Sequence, residues 1–194
     1  MYKINNSGWI EFLSGPMYSG KTDELLRRLN RARIADQSYL AFKPGIDDRY
    51  KKEEIVSHDG RTVECEVIQK ERPENILSLV KEDTRIVVID EVQFFDISVV
   101  EVIEDLADLG KRVIVAGLDL DFRGEPWEVS AELLSRAEYV DKLKGVCIKC
   151  GELATRTQRE IEGVPAHYNS PLTLVGSEEA YKGVCRECHV VRYE

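Results

Sequence analysis

A chain of 194 residues with 43% hydrophobic and 32% charged positions is long enough for one buried core plus a small accessory module, and its composition is neither disordered nor fibrous. The net charge of −9 weighs against a sequence-independent grip on nucleic acid, which rests on basic side chains displacing counterions from phosphates. No run approaches the roughly 18 apolar residues of a membrane span, and Met1 to Ser7 has no apolar signal core, so no membrane partner is expected and the chain reads as cytoplasmic.

Trp9 to Leu13 is the first expected strand, its apolar character beyond Glu11 suited to a buried parallel position. It leads into Gly15-Pro16-Met17-Tyr18-Ser19-Gly20-Lys21-Thr22, which has the G-x-x-x-x-G-K-T spacing of a phosphate-binding loop. The glycines let the backbone curl so that successive N–H groups face phosphate oxygens, with the positive end of the next helix behind them. Lys21 is then placed for the β- and γ-phosphates of ATP, and Thr22 for Mg²⁺. From Thr22 to about Ala35, Leu25, Leu26, Leu29 and Ala32 recur at helical spacing, which leaves Arg27, Arg28, Asn30, Arg31 and Arg33 for a solvated face.

Ser38 to Phe42 reads as a second strand stopped by Lys43-Pro44-Gly45. A polar connection from Ile46 to Gly60 follows, of a length and composition common in active-site loops, and spacing gives its His58 no role. Val63 to Ile68 is a strand with Cys65 as a small buried hydrophobe, and Pro73 opens a helix to about Lys81. Arg85 to Ile89 is a buried-type strand ending in Asp90 and Glu91. An acid at the end of such a strand meets Mg²⁺ beside the loop's threonine, which makes Asp90 the metal-side carboxylate and Glu91 a base toward a hydroxyl or water. The same two acids could instead cap the next helix.

Ser98 to Leu109 is helical and ended by Gly110, and Val113 to Ala116 is a strand running into Gly117-Leu118-Asp119. Alternating strands and helices imply right-handed crossovers and an α/β fold with a mostly parallel sheet flanked by helices. Phe122 and Trp127 form an aromatic loop that would suit a planar base or serve ordinary packing, and Ala131 to Ala137 is a further helix.

At Gly145 the architecture changes. Cys147-x-x-Cys150 and Cys185-x-x-Cys188 offer the four soft ligands of a structural Zn²⁺ site. The 34 residues between Cys150 and Cys185 exceed the usual ribbon spacing of about 15–20, so the metal should clamp the base of a long excursion. His189, beside Cys188, is the alternative ligand. The expected division is 1–143 for the phosphate-loop domain and 144–194 for a small zinc-ribbon-like domain.

Gly15 to Thr22, Ile89-Asp90-Glu91-Val92-Gln93-Phe94-Phe95, Gly117-Leu118-Asp119 with Phe122, and the two cysteine pairs together resemble the thymidine kinases of the bacterial and animal cytosolic type, in order and over nearly the whole chain. The resemblance implies transfer of the ATP γ-phosphate to the 5′-hydroxyl of thymidine or deoxyuridine, with Glu91 as proton acceptor and Asp90, Glu91, Val92 and Gln93 on the nucleotide side. It implies that Asp47 and Arg49 of Asp47-Asp48-Arg49-Tyr50 assist near the phosphates, and that Met17, Phe94, Leu118 and Phe122 enclose the thymine. The zinc-held excursion resembles the family's lasso loop, with Leu172, Thr173, Leu174, Val175, Gly176 and Tyr181 where that loop meets the base. Trp127 stands where many relatives have phenylalanine. A homotetramer and feedback inhibition by dTTP are implied as well. Two other classes fit some of the residues: a phosphate-loop ATPase using Glu91 to orient water, and a zinc-ribbon binding protein with a regulatory ATP site.

Overall fold

In the computed structural model, which describes residues 8–45, 52–57, 60–172 and 181–193, the chain begins with β1 (Trp9–Ser14), the phosphate-loop segment and α1 (Lys21–Ile34). β2 (Tyr39–Gly45), β3 (Lys52–Val56) and β4 (Thr62–Gln69) follow, then the short α2 (Asn75–Leu79) and β5 (Ile86–Ile89). A single 3-10 turn at Val92–Phe94 precedes α3 (Val99–Asp108), β6 (Arg112–Gly117), α4 (Glu128–Arg136) and β7 (Tyr139–Lys142). The sheet order is β3-β4-β2-β5-β6-β1-β7, and every pairing is parallel except that of β3 with β4.

The two-residue period of the strands sorts their side chains onto two layers. Phe12, Phe42, Val87, Ile89, Val113 and Val115 pack toward α3 and α4 through Val99, Ile103, Leu106, Val129 and Leu133. Leu13, Ala41, Ile86, Val88, Ile114 and Ala116 pack toward α1 through Leu25, Leu26, Leu29 and Ala32, and Cys65 joins this second core. Full burial of one such apolar side chain contributes about 1.5–3 kcal/mol, so these two layers hold the strand ends in place. Glu11 is buried on the α1 side because Arg112 donates to it at 2.6 Å and Arg28 pairs with it from α1. Arg28 is thus half-buried in an ion network around the buried Glu11, instead of standing on the solvated face that helical spacing implies for it.

Four further differences from the sequence reading concern where strands and one helix run. β2 runs on through Pro44 and Gly45, because beyond Phe42 it is bonded only to β4 and a proline there disrupts no ladder on its other side. β3 occupies part of the polar connection as the antiparallel edge strand, and β7 adds a parallel strand beside β1. α4 starts at Glu128, three residues earlier than helical periodicity suggests.

The C-terminal part forms two small sheets. β8 (Gly145–Val146) pairs with β9 (Leu153–Ala154), and β10 (Arg156–Ile161) lies between β11 (Val164–Pro165) and β12 (Tyr181–Val184). Among the described residues no helix is long and apolar enough to cross a membrane.

Candidate active site

Because β6 lies between β1 and β5, the carboxyl ends of these three strands deliver the loop after Ser14, the acids after Ile89 and the segment from Gly117 to one edge of the sheet. Ligands of open α/β sheets bind at this edge. In the loop, Gly15 has φ +146° and a Cβ there would lie 2.4 Å from the Leu143 carbonyl oxygen, so no other residue fits. Gly20, at φ +81°, caps α1 in a left-handed conformation. Lys21 Nζ donates to the Pro16 carbonyl at 2.7 Å and Ser19 Oγ donates to the same oxygen at 2.8 Å. Burial lowers the Lys21 pKa, against the opposing charges of Glu91, Asp90 and Asp119.

Glu91 adopts φ +52°, a left-handed turn that carries the chain from β5 into the Val92–Phe94 turn. Its Oε2 accepts a hydrogen bond from Gln93 Nε2 at 2.5 Å, and Gln93 Oε1 accepts the Leu118 N–H at 3.0 Å. Asp90 is 7% exposed and accepts the Glu91 N–H at 2.9 Å. Burial, and then the neighbouring Glu91 charge, push the Asp90 pKa up to about 7. Val92 is fully buried in the core.

The segment after Leu118 is shaped by Asp121, whose Oδ1 accepts the N–H groups of Arg123 at 2.8 Å and Glu125 at 3.0 Å around Gly124. That turn presents Phe122, and the Trp127 ring meets Phe94 edge to face at 5.5 Å. His189 Nε2 donates to the Phe122 carbonyl at 2.8 Å, which ties the end of the chain to this turn.

Together these elements enclose a cavity of about 470 Å³. Its walls include Met17, Tyr18, Ser19, Gly20, Lys21, Thr22, Glu91, Phe94, Leu118, Phe122, Leu172 and Tyr181 among the candidates read from the sequence. Gly15, Pro16, Asp90, Val92 and Gln93 are not among the wall residues. Asp47, Arg49, Thr173, Leu174, Val175 and Gly176 lie outside the described residues, as does His58. The cavity also takes Asp23, Val56, Ser57, Asp121, Trp127 and Thr157. Thr157 carries no sequence signal, since its place depends on β10 docking against the phosphate loop, where its Oγ1 accepts the Met17 N–H at 3.1 Å.

The sulfur atoms of Cys147, Cys150, Cys185 and Cys188 all lie within 4.8 Å of one another and could hold a metal ion. The two knuckles repeat one turn: Gly151 N–H donates to the Cys147 carbonyl at 2.8 Å and His189 N–H to the Cys185 carbonyl at 3.1 Å. Burial opposes the Cys147 thiolate, but N–H groups of Cys185, Lys149 and Cys150 outweigh it and bring its pKa to about 6. Thiol hydrogen bonding with Cys185 and Cys150 pushes Cys188 up to about 12. His189 is outside the four-ligand cluster, its Nε2 being engaged by Phe122. Cys65 stands apart on β4, where burial pushes its thiol up to about 11.

A family model described as thymidine kinase matches residues 8–189. Thymidine kinases of two Halobacterium salinarum strains, R1 and NRC-1, are each 49% identical to this chain over 196 aligned positions, covering 100% of both chains. Among solved structures, the Thermotoga maritima RuvB Holliday junction branch migration motor overlaps 73% of this chain and 39% of its own at a TM-score of 0.40 and 14% identity.

Proposed function

The chain belongs to the thymidine kinase family and, as an enzyme of that family, phosphorylates thymidine; from this premise we propose that the cavity between β1, β5, β6 and β10 is its active site, with ATP as donor. One observation carries the assignment: Lys21, Thr22 and Glu91 share a cavity with Phe94, Leu118 and Phe122, so a phosphate-binding end and a planar apolar end face one space. Gly15 to Thr22 binds the triphosphate, and Lys21 exchanges the Pro16 carbonyl for a phosphate oxygen. Met17, Phe94, Leu118, Phe122, Leu172 and Tyr181 hold the nucleoside with its 5′-hydroxyl toward Glu91. Glu91, oriented by Gln93, accepts the hydroxyl proton as the phosphoryl group is transferred, and positioning supplies most of the acceleration.

Asp90 and Thr22 would hold Mg²⁺, which when bound screens the charge of the triphosphate. The fit rests on place and charge: Asp90 follows β5 and Thr22 opens α1 at the same sheet edge, and burial with the adjacent Glu91 charge raises the Asp90 pKa despite Lys21 and Lys43, an excess of negative charge that a divalent ion would offset. The four cysteines suit Zn²⁺, because the 3.7 Å between Cys150 Sγ and Cys185 Sγ matches the edge, about 3.8 Å, of a tetrahedron with Zn–S near 2.3 Å. In the same reading, residues 144–194 are a zinc-held accessory domain whose lasso closes over the nucleoside, Asp47 and Arg49 assist at the phosphates, and deoxyuridine is a second substrate. Homotetrameric assembly, inhibition by dTTP and a cytoplasmic location follow from the resemblance.

Incubating the pure protein with ATP·Mg²⁺ and single nucleosides tests the site. Thymidine should yield its 5′-monophosphate with matching ADP, and ADP release that does not depend on nucleoside would turn the reading toward an ATPase.

A further inference from the structure

Arg159 is 1% exposed and is the largest fully buried side chain among the described residues, yet among them no carboxylate lies within ion-pair distance of it. Its neighbour Glu160 is taken by Lys182 at 2.5 Å. A buried charge is costly unless other groups replace its hydration. Here the replacements are two ring faces and one backbone carbonyl. The guanidinium lies 5.2 Å from the centre of the Phe122 ring and 5.9 Å from that of Tyr181, and Nη1 donates to the Pro171 carbonyl, while Nε has no partner among the described residues.

Those contacts come from three separate segments, and each segment contributes a wall of the cavity: Phe122 after β6, Tyr181 on β12, and Leu172 next to Pro171. The placement follows from register. Arg159 on β10 pairs directly with Tyr181, and Thr157, two residues earlier and so on the same face, also lines the cavity. We propose that Arg159 is a positioning residue for the nucleoside pocket, setting both rings and the start of the segment after Pro171 against one another so that thymidine meets a preformed wall. The inference rests on the reading of Phe122, Tyr181 and Leu172 as the nucleoside end of the cavity. Arg159 is not itself among the wall residues, so it acts through them. A planar guanidinium can face two rings and bond a carbonyl together, whereas a lysine ammonium is a point charge that cannot stack. Pre-ordering the walls reduces the ordering cost of binding, so the effect belongs to thymidine affinity.

The test compares Arg159→Lys and Arg159→Met with Phe122→Ala in the full chain, reading kcat, KM for thymidine, KM for ATP, metal content and thermal midpoint. Arg159→Lys should fold with its metal, keep the KM for ATP, and raise the KM for thymidine on the order of tenfold with kcat changed by less than about twofold. Arg159→Met should do the same or more; if it fails to fold, the lysine variant carries the test. An unchanged thymidine KM in Arg159→Lys overturns the inference, as does a loss of fold or metal or an equal decline with both substrates, since each assigns the residue to general stability. Phe122→Ala separates the two readings. If it raises the thymidine KM while Arg159→Lys does not, only the inference on Arg159 fails; if Phe122→Ala leaves that KM unchanged, the pocket reading fails and the inference with it.

Discussion

Gln93 links Glu91 to the end of β6: its amide nitrogen donates to the Glu91 carboxylate at 2.5 Å and its amide oxygen accepts the Leu118 N–H at 3.0 Å. Gly117 makes room for this bridge, since a Cβ there would lie 2.7 Å from Gln93 Oε1. The carboxylate is thus held by a side chain that is itself fixed at both ends.

Glu91→Gln should retain ATP binding and lose phosphoryl transfer by a factor on the order of 10²–10⁴, because the amide keeps the shape and the bond from Gln93 but cannot take the proton. Nucleotide affinity together with single-turnover rates would show it. Near-normal turnover would remove Glu91 from the mechanism.

Asp90→Asn should inactivate the enzyme and stabilise the ligand-free protein at alkaline pH. The folded pKa of Asp90, about 7, lies above an unfolded value of about 3.9, so the fold holds the extra proton between them. Its contribution is fully present below about pH 4 and is lost as pH rises through about 7. At pH 8 the asparagine variant should therefore be the more stable of the two, with the difference vanishing near pH 4. Urea unfolding of metal- and nucleotide-free protein at both pH values measures this, and equal stability at pH 8 would contradict it.

One Zn²⁺ per chain should be found in freshly purified, reduced protein, and Cys188→Ala should lose most of it. Four thiolates leave no open position for substrate or water, which makes the metal structural. After chelation, a thiol reagent should react with the exposed Cys150 before Cys65, which is buried and whose burial raises its pKa. Undiminished metal content in Cys188→Ala would count against the assignment.

Thymidine and deoxyuridine should be phosphorylated, and deoxycytidine and deoxyadenosine should be poor substrates. Leu172, Leu174 and Val175 have no hydrogen-bonding side chains, so polar recognition from this segment falls to backbone groups that suit a base with an N3–H and flanking carbonyls. Cytosine would leave such a group unpaired, at about 1–3 kcal/mol each. Thr173→Val should change the preference little. Comparable kcat/KM on deoxycytidine would sink backbone recognition.

The phosphate loop, the Asp90-Glu91 pair and the paired cysteines are legible in the sequence because each meets a local demand. Gly15 and Gly20 answer backbone angles within the loop, the acids follow directly on an apolar strand, and two C-x-x-C knuckles carry their own turns. The parallel sheet follows from the alternation of elements along the chain. The edge strand β3 was hidden, because its polar residues belong to a strand with few buried side chains, and so was β7, all four of whose residues are exposed. Thr157 and Arg159 were equally hidden. Nothing within Arg156–Ile161 says which face meets the phosphate loop; that is decided by the register of β10 with β12 and by the Met17 to Thr157 bond across 140 residues. Chemistry confined to a few consecutive residues is written in their types and spacing, while a wall assembled from four distant segments exists only once their packing has brought them together.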